Sequence, residues 1–195
     1  MKTKYWIITC SVIGLLGGIG AAFGDNDNDE YESRHEAKID KKQVRKTKAG
    51  VARVENKTYS TECGACHFPY QPGLLPERSW RKLMSQLNDH FGDNAELSAD
   101  KQTEIVNYLA QNSADKSDYK RSKRIMSSLS ESDTPLRITE TNYFKARHRE
   151  VPRRLVQDNE QVKSFSRCDS CHQTANTGSF SERHIKIPGH GRWED

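Results

Sequence analysis

The pentapeptide Cys-x-x-Cys-His occurs twice in this chain of 195 residues, at positions 63–67 and 168–172. The pattern is typical of covalent c-type haem attachment, in which each thiol adds to a vinyl group of the porphyrin and the histidine binds the iron. One copy arises by chance on the order of once per thousand such chains, so two copies indicate two haems. The haem-linking cysteines and motif histidines predicted in this way are Cys63, Cys66, Cys168, Cys171, His67 and His172.

Cysteine usage fits haem attachment better than the two other common roles of paired cysteines. The chain has five cysteines, and the one outside the motifs is Cys10, in an apolar N-terminal stretch. A thioredoxin-like pair needs a βαβ context, and no parallel-sheet pattern surrounds either motif. A four-cysteine zinc site usually places its pairs about 15–20 residues apart, whereas a long helical segment separates these. The favoured cofactor is therefore two covalently bound haem c groups with iron.

Residues 1–24 have the layout of a secretory signal peptide. Lys2 and Lys4 precede an uncharged apolar run, and small residues follow up to Gly24. The alternative is an uncleaved membrane anchor, because the uncharged stretch is just long enough to span a bilayer, but its glycines favour cleavage. Both interpretations place the rest of the chain outside the cytoplasm. We expect a periplasmic protein that is anchored to a membrane only if the signal is retained.

Composition limits how far the polypeptide can stabilise a fold by itself. Hydrophobic residues make up 33% of the chain and charged residues 30%, which is lean for a globular core. Two buried porphyrins would supply much of the missing apolar surface, so we expect the haem-free chain to fold poorly. The formal net charge of +4 falls when the signal lysines are removed and again when the haem propionates ionise. Nothing in this balance supports nucleic-acid binding.

Polarity and turn-forming residues divide the rest of the chain into three predicted regions. Residues 25–58 are almost wholly polar and lack an amphipathic period, so they are predicted to be a disordered linker. An N-terminal haem domain is predicted at 59–116 and a C-terminal haem domain at 117–195. Few β-branched alternations occur, so the predicted fold class is mainly α, with two small haem-binding domains. The second of these is expected to be irregular with short helices.

Helical periodicity is clearest in three segments. Ser79 is predicted to cap a helix that continues to Phe91 with its apolar side chains on one face. Ser98 is predicted to cap the next helix. Thr139 is predicted to cap a short helix that carries His148 and stops before a proline.

The sixth ligand of each iron decides whether that site is closed, because histidine, methionine or an open position gives a different reactivity and potential. For the first haem His90 is favoured, since the helix predicted from Ser79 places it on the same face as Leu83, Met84 and Leu87. The proline-rich loop at 69–76 lets that helix fold back over the porphyrin. Met84 and Met126 are the competing ligands. Without the haem motifs, a histidine at position 90 would be interpreted as a core residue.

The second haem has three candidate sixth ligands. His148 is favoured because Phe144 lies one helical turn before it and gives it an apolar context. His184 is flanked by charged residues, and His190 lies between two glycines near the C-terminus. His35 belongs to the polar linker and is expected to be a surface residue.

Longer stretches around these residues resemble the bacterial dihaem cytochrome c family. The resemblance covers about residues 59–188. It is carried by residues 63–80, residues 89–94, residues 135–144 with His148, the second motif, and the closing run Ile185-Lys186-Ile187-Pro188. The extension at 189–195 departs from the family pattern, and the sequence assigns it no role.

The resemblance implies a two-domain periplasmic electron carrier whose first domain is similar to class I cytochrome c. It also implies that both irons have two histidine ligands, His67 with His90 and His172 with His148. Members of this family are linked to a small high-potential haem protein or to a membrane cytochrome b. Either is therefore an expected redox partner of this chain.

Closed irons predict an electron-transfer protein rather than an enzyme, because a six-coordinate iron has no position for substrate. The alternative is a haem enzyme or sensor, of the dihaem peroxidase or small-ligand-binding type, in which one iron is open. A basic cluster beside the second site is expected either to steer an acidic redox partner or to be an ordinary solvated face. This basic cluster consists of Lys145, Arg147, Arg149, Arg153 and Arg154.

Overall fold

The structure is a computed structural model, and it describes residues 50–193. The predicted signal peptide, the linker up to residue 49 and the last two residues lie outside the described residues. Within that range the α-helices are α1 (Lys57–Glu62), α2 (Glu77–Met84), α3 (Ala99–Gln111), α4 (Lys120–Met126), α5 (Asn142–His148) and α6 (Cys168–Cys171). Short 3₁₀ turns lie at Cys63–Ala65, Pro72–Leu74, Leu87–Asp89, Ala114–Lys116, Ile138–Glu140, Arg153–Leu155, Ala175–Thr177 and Glu182–His184. The mainly α class is confirmed.

Two helices begin at side chains that accept hydrogen bonds from the free N–H groups of the first turn. Asn56 caps α1, because its Oδ1 accepts from the Tyr59 N–H at 2.6 Å. Thr141 caps α5, because its Oγ1 accepts from the Phe144 N–H at 3.2 Å. The predicted cap Thr139 was therefore wrong, since this residue lies in the 3₁₀ turn that precedes α5.

Helix α2 begins and ends earlier than its sequence predicts. It starts at Glu77, directly after Pro76, so Ser79 lies inside the helix and does not cap it. The Glu77 N–H donates instead to Asp115 Oδ1 at 3.0 Å. This cap comes from a residue far along the chain, which no local pattern marks. The helix ends at Met84.

The segment after α2 is a turn built around His90. The His90 N–H donates to the Asp93 carbonyl at 2.7 Å. Phe91 and Gly92 have φ values of 60° and 102°, in the left-handed region that a continuing α-helix cannot contain. The predicted helix up to Phe91 was therefore wrong, and His90 lies in a turn rather than on a helix face.

The apolar side chains form two buried clusters. Helix α3 begins directly after Ser98, which is at the predicted N-cap position but whose side chain makes no capping hydrogen bond. This helix packs against α2. The first core cluster consists of Tyr59, Leu75, Trp80, Met84, Leu87, Ile105 and Leu109. The second core cluster consists of Val51, Leu74 and Ile125. Tyr70 and Ile138 pack against both clusters, so the two parts of the core are continuous through them.

Residues 50–58 are folded, although they fall in the predicted linker. Val51 is 0% exposed and belongs to the second core cluster. The N–H groups of Gly50 and Val51 both donate to the Gly178 carbonyl, at 2.9 and 3.2 Å. The Gly50 carbonyl also accepts from the Arg121 N–H at 3.1 Å. The prediction of disorder was therefore wrong for this stretch, because a buried valine and three backbone hydrogen bonds attach it to distant residues.

The halves of the chain that were predicted as separate haem domains are joined by hydrogen bonds. Ser122 Oγ donates to the Gly73 carbonyl at 2.8 Å, and Tyr70 Oη donates to the Ser166 carbonyl at 2.7 Å. The described residues all belong to one unit of the chain, 43–195. The domain boundary between residues 116 and 117 stays a prediction.

The C-terminal extension forms the second strand of an antiparallel pair. Strand β1 (Lys186–Ile187) pairs with β2 (Gly191–Arg192), with Ile187 opposite Gly191. Ile187 is 2% exposed, so the pair attaches to the rest of the fold through a buried side chain.

Candidate haem-binding sites

The first motif begins in the turn that ends α1. Cys63 opens this 3₁₀ turn and is half-buried against the first core cluster, whereas Cys66 is exposed. Burial, followed by the neighbouring Glu62 and Cys66, raises the pKa of the Cys63 thiol to about 11. Both thiols are free of a disulfide, as thioether formation requires.

His67 and His90 face each other beside this motif. Their ring centroids lie 6.2 Å apart and their planes differ by 17°. His67 Nδ1 lies 2.8 Å from the Phe68 carbonyl, a contact that places the proton on Nδ1 and leaves Nε2 free for a metal. Burial, followed by the neighbouring His67, lowers the pKa of His90 and so favours the neutral form that binds metals.

The spacing of this pair fits an iron between the two rings. Bonds from metal to imidazole nitrogen are about 2 Å long, so one ligand on each side separates the ring centroids by about 6 Å. Two protein ligands suffice for a haem, because the porphyrin supplies the other four. Among residues 50–193, no three His, Cys, Asp or Glu side chains cluster to hold a metal by themselves.

The second motif is itself a short helix, α6. The His172 N–H donates to the Cys168 carbonyl at 2.8 Å, which closes the turn between the first thiol and the histidine. Burial, followed by the neighbouring Asp169, raises the pKa of the Cys168 thiol to about 12. Cys171 is also half-buried. The second pair of thiols is therefore more enclosed than the first.

His148, the last residue of α5, faces His172. Their ring centroids lie 6.1 Å apart, and their planes are nearly perpendicular at 81°. His148 Nδ1 donates to the Phe144 carbonyl at 3.0 Å, which leaves Nε2 free for iron. The Phe144 ring stacks on the His148 imidazole at 3.9 Å and 15°, and this contact restrains its orientation.

His172 is held in an environment that opposes positive charge. Burial, followed by His148 and Arg121, lowers the pKa of His172 to about 4. Its Nδ1 is buried and has no hydrogen-bond partner within the described part of the chain. The imidazole is therefore neutral and ready to bind a metal, but it lacks the orienting hydrogen bond that His67 and His148 have at Nδ1.

One cavity joins the groups of the second site. Its empty volume, which includes open solvent at its mouth, is about 1090 Å³. Both thiols and both histidines of the second site line it, together with the aromatic residues Tyr143, Phe144, Phe165, Phe180 and Trp193. The contribution of Trp193 gives the C-terminal extension a place at this site. A cavity of about 650 Å³ touches His90 but does not reach the first motif.

Arg121 brings a positive charge into the wall of the second cavity. Its Nη1 donates to Tyr143 Oη at 2.8 Å and its Nη2 to the Phe180 carbonyl at 3.3 Å. The guanidinium also lies over both rings, 5.8 and 5.3 Å from their centroids. No carboxylate of residues 50–193 forms an ion pair with it. The sequence does not mark this residue, because it is one of several basic residues at the start of α4.

The other ligand candidates lie in different surroundings. Met84 is 5% exposed within the first core cluster, among apolar side chains. Met126 is half-buried on α4. His184 Nδ1 lies 3.3 Å from Thr174 Oγ1, and His190 is exposed. The rings that face the motif histidines are the two that the sequence favoured.

Comparison with known proteins places this geometry in a family. A family model described as dihaem cytochrome c matches residues 59–180. The dihaem cytochrome c of Shewanella baltica OS155 is 41% identical, with a TM-score of 0.60, over 71% of this chain and 98% of that one. The dihaem cytochrome c of Rhodobacter sphaeroides is also 41% identical, with a TM-score of 0.60, over 67% of this chain and 100% of that one. No curated protein matches.

The matched range contains both motifs, His90 and His148. It covers more than half of the chain, and the two solved structures are matched over nearly their whole length. The chain therefore belongs to the dihaem cytochrome c family, whose members carry two covalently bound haem c groups.

Proposed function

We propose that this chain is an electron carrier in which two histidines hold each haem iron, His67 with His90 and His172 with His148. This proposal rests on the two facing imidazole rings at each site, whose centroids lie 6.2 Å apart at the first site and 6.1 Å apart at the second. Membership of the dihaem cytochrome c family supports the electron-transfer function. A haem held in this way supplies one-electron Fe(III)/Fe(II) chemistry.

The residues of the chain contribute ligand geometry, charge and exclusion of water. Backbone carbonyls accept the Nδ1 protons of His67 and His148, so each ring presents Nε2. The aromatic wall of the second cavity limits access of water. Imidazole in place of an axial methionine favours lower potentials at both sites.

A haem enzyme or sensor is the competing function, and it requires one five-coordinate or readily opened iron. Each motif histidine has a facing imidazole in place, which supports two closed irons instead. We therefore propose that the protein has no substrate of its own and acts only by exchanging electrons.

The test is the visible spectrum of the purified, reduced holoprotein with and without carbon monoxide. We expect two haems per chain by pyridine haemochrome assay and no carbon monoxide binding in the wild type. His90→Ala and His148→Ala are each expected to open one iron and bind carbon monoxide at one haem. His184→Ala is the matched control and should stay closed. Strong binding at one haem of the wild type would overturn the carrier proposal in favour of the enzyme or sensor.

We also propose that the protein is exported and works in the periplasm. The layout of residues 1–24 supports export, as does the covalent attachment of haem, which takes place outside the cytoplasm. N-terminal sequencing of the mature holoprotein tests this, because cleavage after Gly24 would leave Asp25 as its first residue. Among residues 50–193, no helix has the length and apolar character needed to cross a bilayer.

The proposed partner is an acidic redox protein that docks on the basic cluster beside His148. All five side chains of this cluster are exposed, although Arg147 pairs with Glu182 and Arg149 with Glu150. A small high-potential haem protein or a membrane cytochrome b, the partners that the family resemblance implies, would be tested in this role. We expect the rate of electron transfer to fall steeply as salt rises, because screening weakens charge steering. A rate that is independent of salt would exclude steering by this cluster.

A further inference from the structure

Tyr70 contacts the first haem-binding site and the segment that leads into the second motif. Its ring stacks on the imidazole of His67, with the centroids 5.1 Å apart and the planes 29° from parallel. Its hydroxyl donates to the Ser166 carbonyl at 2.7 Å, across a sequence separation of 96 residues. Ser166 lies two positions before the second motif. A single side chain thus reaches from a ligand of the first site to the start of the second motif.

The hydrogen bonding continues from Ser166 to a haem-linking cysteine. The Ser166 carbonyl that accepts the Tyr70 hydroxyl also accepts the N–H of Cys168 at 3.0 Å. This bond uses the backbone, so it is retained when the Cys168 thiol becomes a thioether. The Ser166 carbonyl therefore links Tyr70, through two hydrogen bonds, to the first haem-linking cysteine of the second motif.

The residue after Tyr70 fixes the same region of the second site. Gln71 is 0% exposed, and its Nε2 donates to the Ala175 carbonyl at 2.5 Å. The Ala175 N–H in turn donates to the His172 carbonyl at 3.0 Å. Tyr70 and Gln71, which are consecutive in sequence, are therefore hydrogen-bonded to the backbone on either side of the second motif. This double attachment keeps the Tyr70 contact in a fixed position.

We propose that Tyr70 couples the two haems, providing the protein path along which an electron passes from one site to the other. The path runs from the His67 ring through Tyr70 to the Ser166 carbonyl, which is hydrogen-bonded to the haem-linking segment of the second site. One electron leaves the reduced iron of one site and arrives at the oxidised iron of the other. No bond forms or breaks, no proton moves, and Tyr70 is not oxidised. This inference rests on the proposed electron-carrier function.

Tyr70 is half-buried, and its hydroxyl donates to the Ser166 carbonyl at 2.7 Å. A residue that only anchored the fold would also keep this bond, so the test must separate coupling from stability.

The test compares Tyr70→Phe and Tyr70→Leu with Tyr108→Phe in the holoprotein. Tyr70→Phe removes the hydroxyl and keeps the ring on His67, whereas Tyr70→Leu removes both contacts. Tyr108→Phe is the matched control, because its hydroxyl also bonds to a backbone group, the Glu55 N–H at 3.1 Å, and belongs to neither motif. Exchange NMR of the half-reduced protein measures the intramolecular rate, which does not depend on protein concentration. Haem content, thermal unfolding and the two midpoint potentials are measured on the same samples.

We expect a severalfold slower exchange rate in Tyr70→Phe, a further loss in Tyr70→Leu and a wild-type rate in Tyr108→Phe. Both midpoint potentials should stay at their wild-type values in Tyr70→Phe, so that the change lies in coupling and not in driving force. A wild-type rate in Tyr70→Phe would overturn the inference, since the electron then passes by another route. That result would leave the carrier function standing, because the proposed function fails only if the wild type binds carbon monoxide at one haem.

Discussion

Each haem-binding site contains a pair of facing histidines, but the surroundings of the two pairs differ. At the first site Cys66 and His67 are exposed, and Phe91 beside His90 is 44% exposed. At the second site the thiols and both histidines line one cavity of about 1090 Å³ with aromatic walls. The imidazole planes are nearly parallel at the first site and nearly perpendicular at the second, at 17° and 81°.

The difference teaches that ligand identity alone does not make two haems equivalent. Solvent exposure, neighbouring charge and hydrogen bonding to the ligands all influence the potential of a haem independently of the axial residues. Both sites of this chain contain two facing histidines, and the groups around each pair differ. The second site adds an apolar wall and the Arg121 charge, whereas the first is open to water. We therefore expect two haems with distinct potentials and distinct contributions to stability.

Removal of the haem-linking thiols should give the largest difference between the sites. In Cys168→Ala/Cys171→Ala, loss of the second haem leaves a large cavity whose apolar wall has no contacts, which is strongly destabilising. In Cys63→Ala/Cys66→Ala, loss of the first haem exposes a surface that is already partly open. We expect both variants to bind one haem and the second-site variant to unfold at the lower temperature. Haem content and thermal unfolding by circular dichroism measure this, and equal unfolding temperatures would contradict the comparison.

The orientation of the imidazole planes should distinguish the two oxidised haems by electron paramagnetic resonance. Near-parallel planes at the first site lift the degeneracy of the iron orbitals that overlap with the rings, whereas near-perpendicular planes at the second leave them almost equal. We expect two low-spin signals, of which the second-site signal has the larger maximum g value. His90→Ala should remove the ordinary rhombic signal and His148→Ala the other. A single signal that integrates to two haems would show that the ring angles do not differ in the holoprotein.

Neutralising Arg121 should lower the potential of the second haem alone. A cation in the wall of the cavity favours the less positive Fe(II) state, so Arg121→Gln shifts the equilibrium toward Fe(III). We expect about a tenfold lower ratio of reduced to oxidised second haem at a fixed potential, which corresponds to about 59 mV for a one-electron couple. Arg121→Lys keeps the charge and should shift less. Arg124→Gln, an exposed residue on the same helix, is the control in potentiometric titrations. An unchanged second-haem potential in Arg121→Gln would mean that bound haem carboxylates already neutralise this charge.

Local sequence patterns could predict the residues that react with haem but not the surroundings that distinguish the sites. The thiols and motif histidines follow from spacing alone, and the apolar context of His148 was sufficient to favour it over His184. The context used for His90 was a helix face, although the structure places it in a turn. The predicted cap of α2 was also wrong, because Asp115 and not Ser79 accepts the first N–H of this helix.

The residues that the sequence patterns did not identify as part of the sites have partners that are distant in sequence. Tyr70 lies in a proline-rich loop and reaches Ser166, which is 96 positions away. Arg121 is one of several basic residues on α4 and reaches Phe180 across 59 positions. Trp193 lies in the extension to which the sequence assigned no role. Such contacts depend on how the two core clusters pack together, so neither periodicity nor motif spacing contains them.

The smallest effect that we expect comes from removing one aromatic wall residue at each site. Trp193→Ala opens the second cavity to water and should lower the second-haem potential by less than Arg121→Gln does, because exposure weakens stabilisation of Fe(II) without removing a charge. Phe91→Ala should leave the first-haem potential almost unchanged, since this ring is already exposed. It also removes the stacking of Arg137, 3.7 Å from the Phe91 ring centroid, so its main effect should be on thermal stability. Potentiometric titration of both variants measures these two shifts in potential. If Phe91→Ala shifts its haem as far as Trp193→Ala shifts the other, the difference in solvent exposure does not set the two potentials apart.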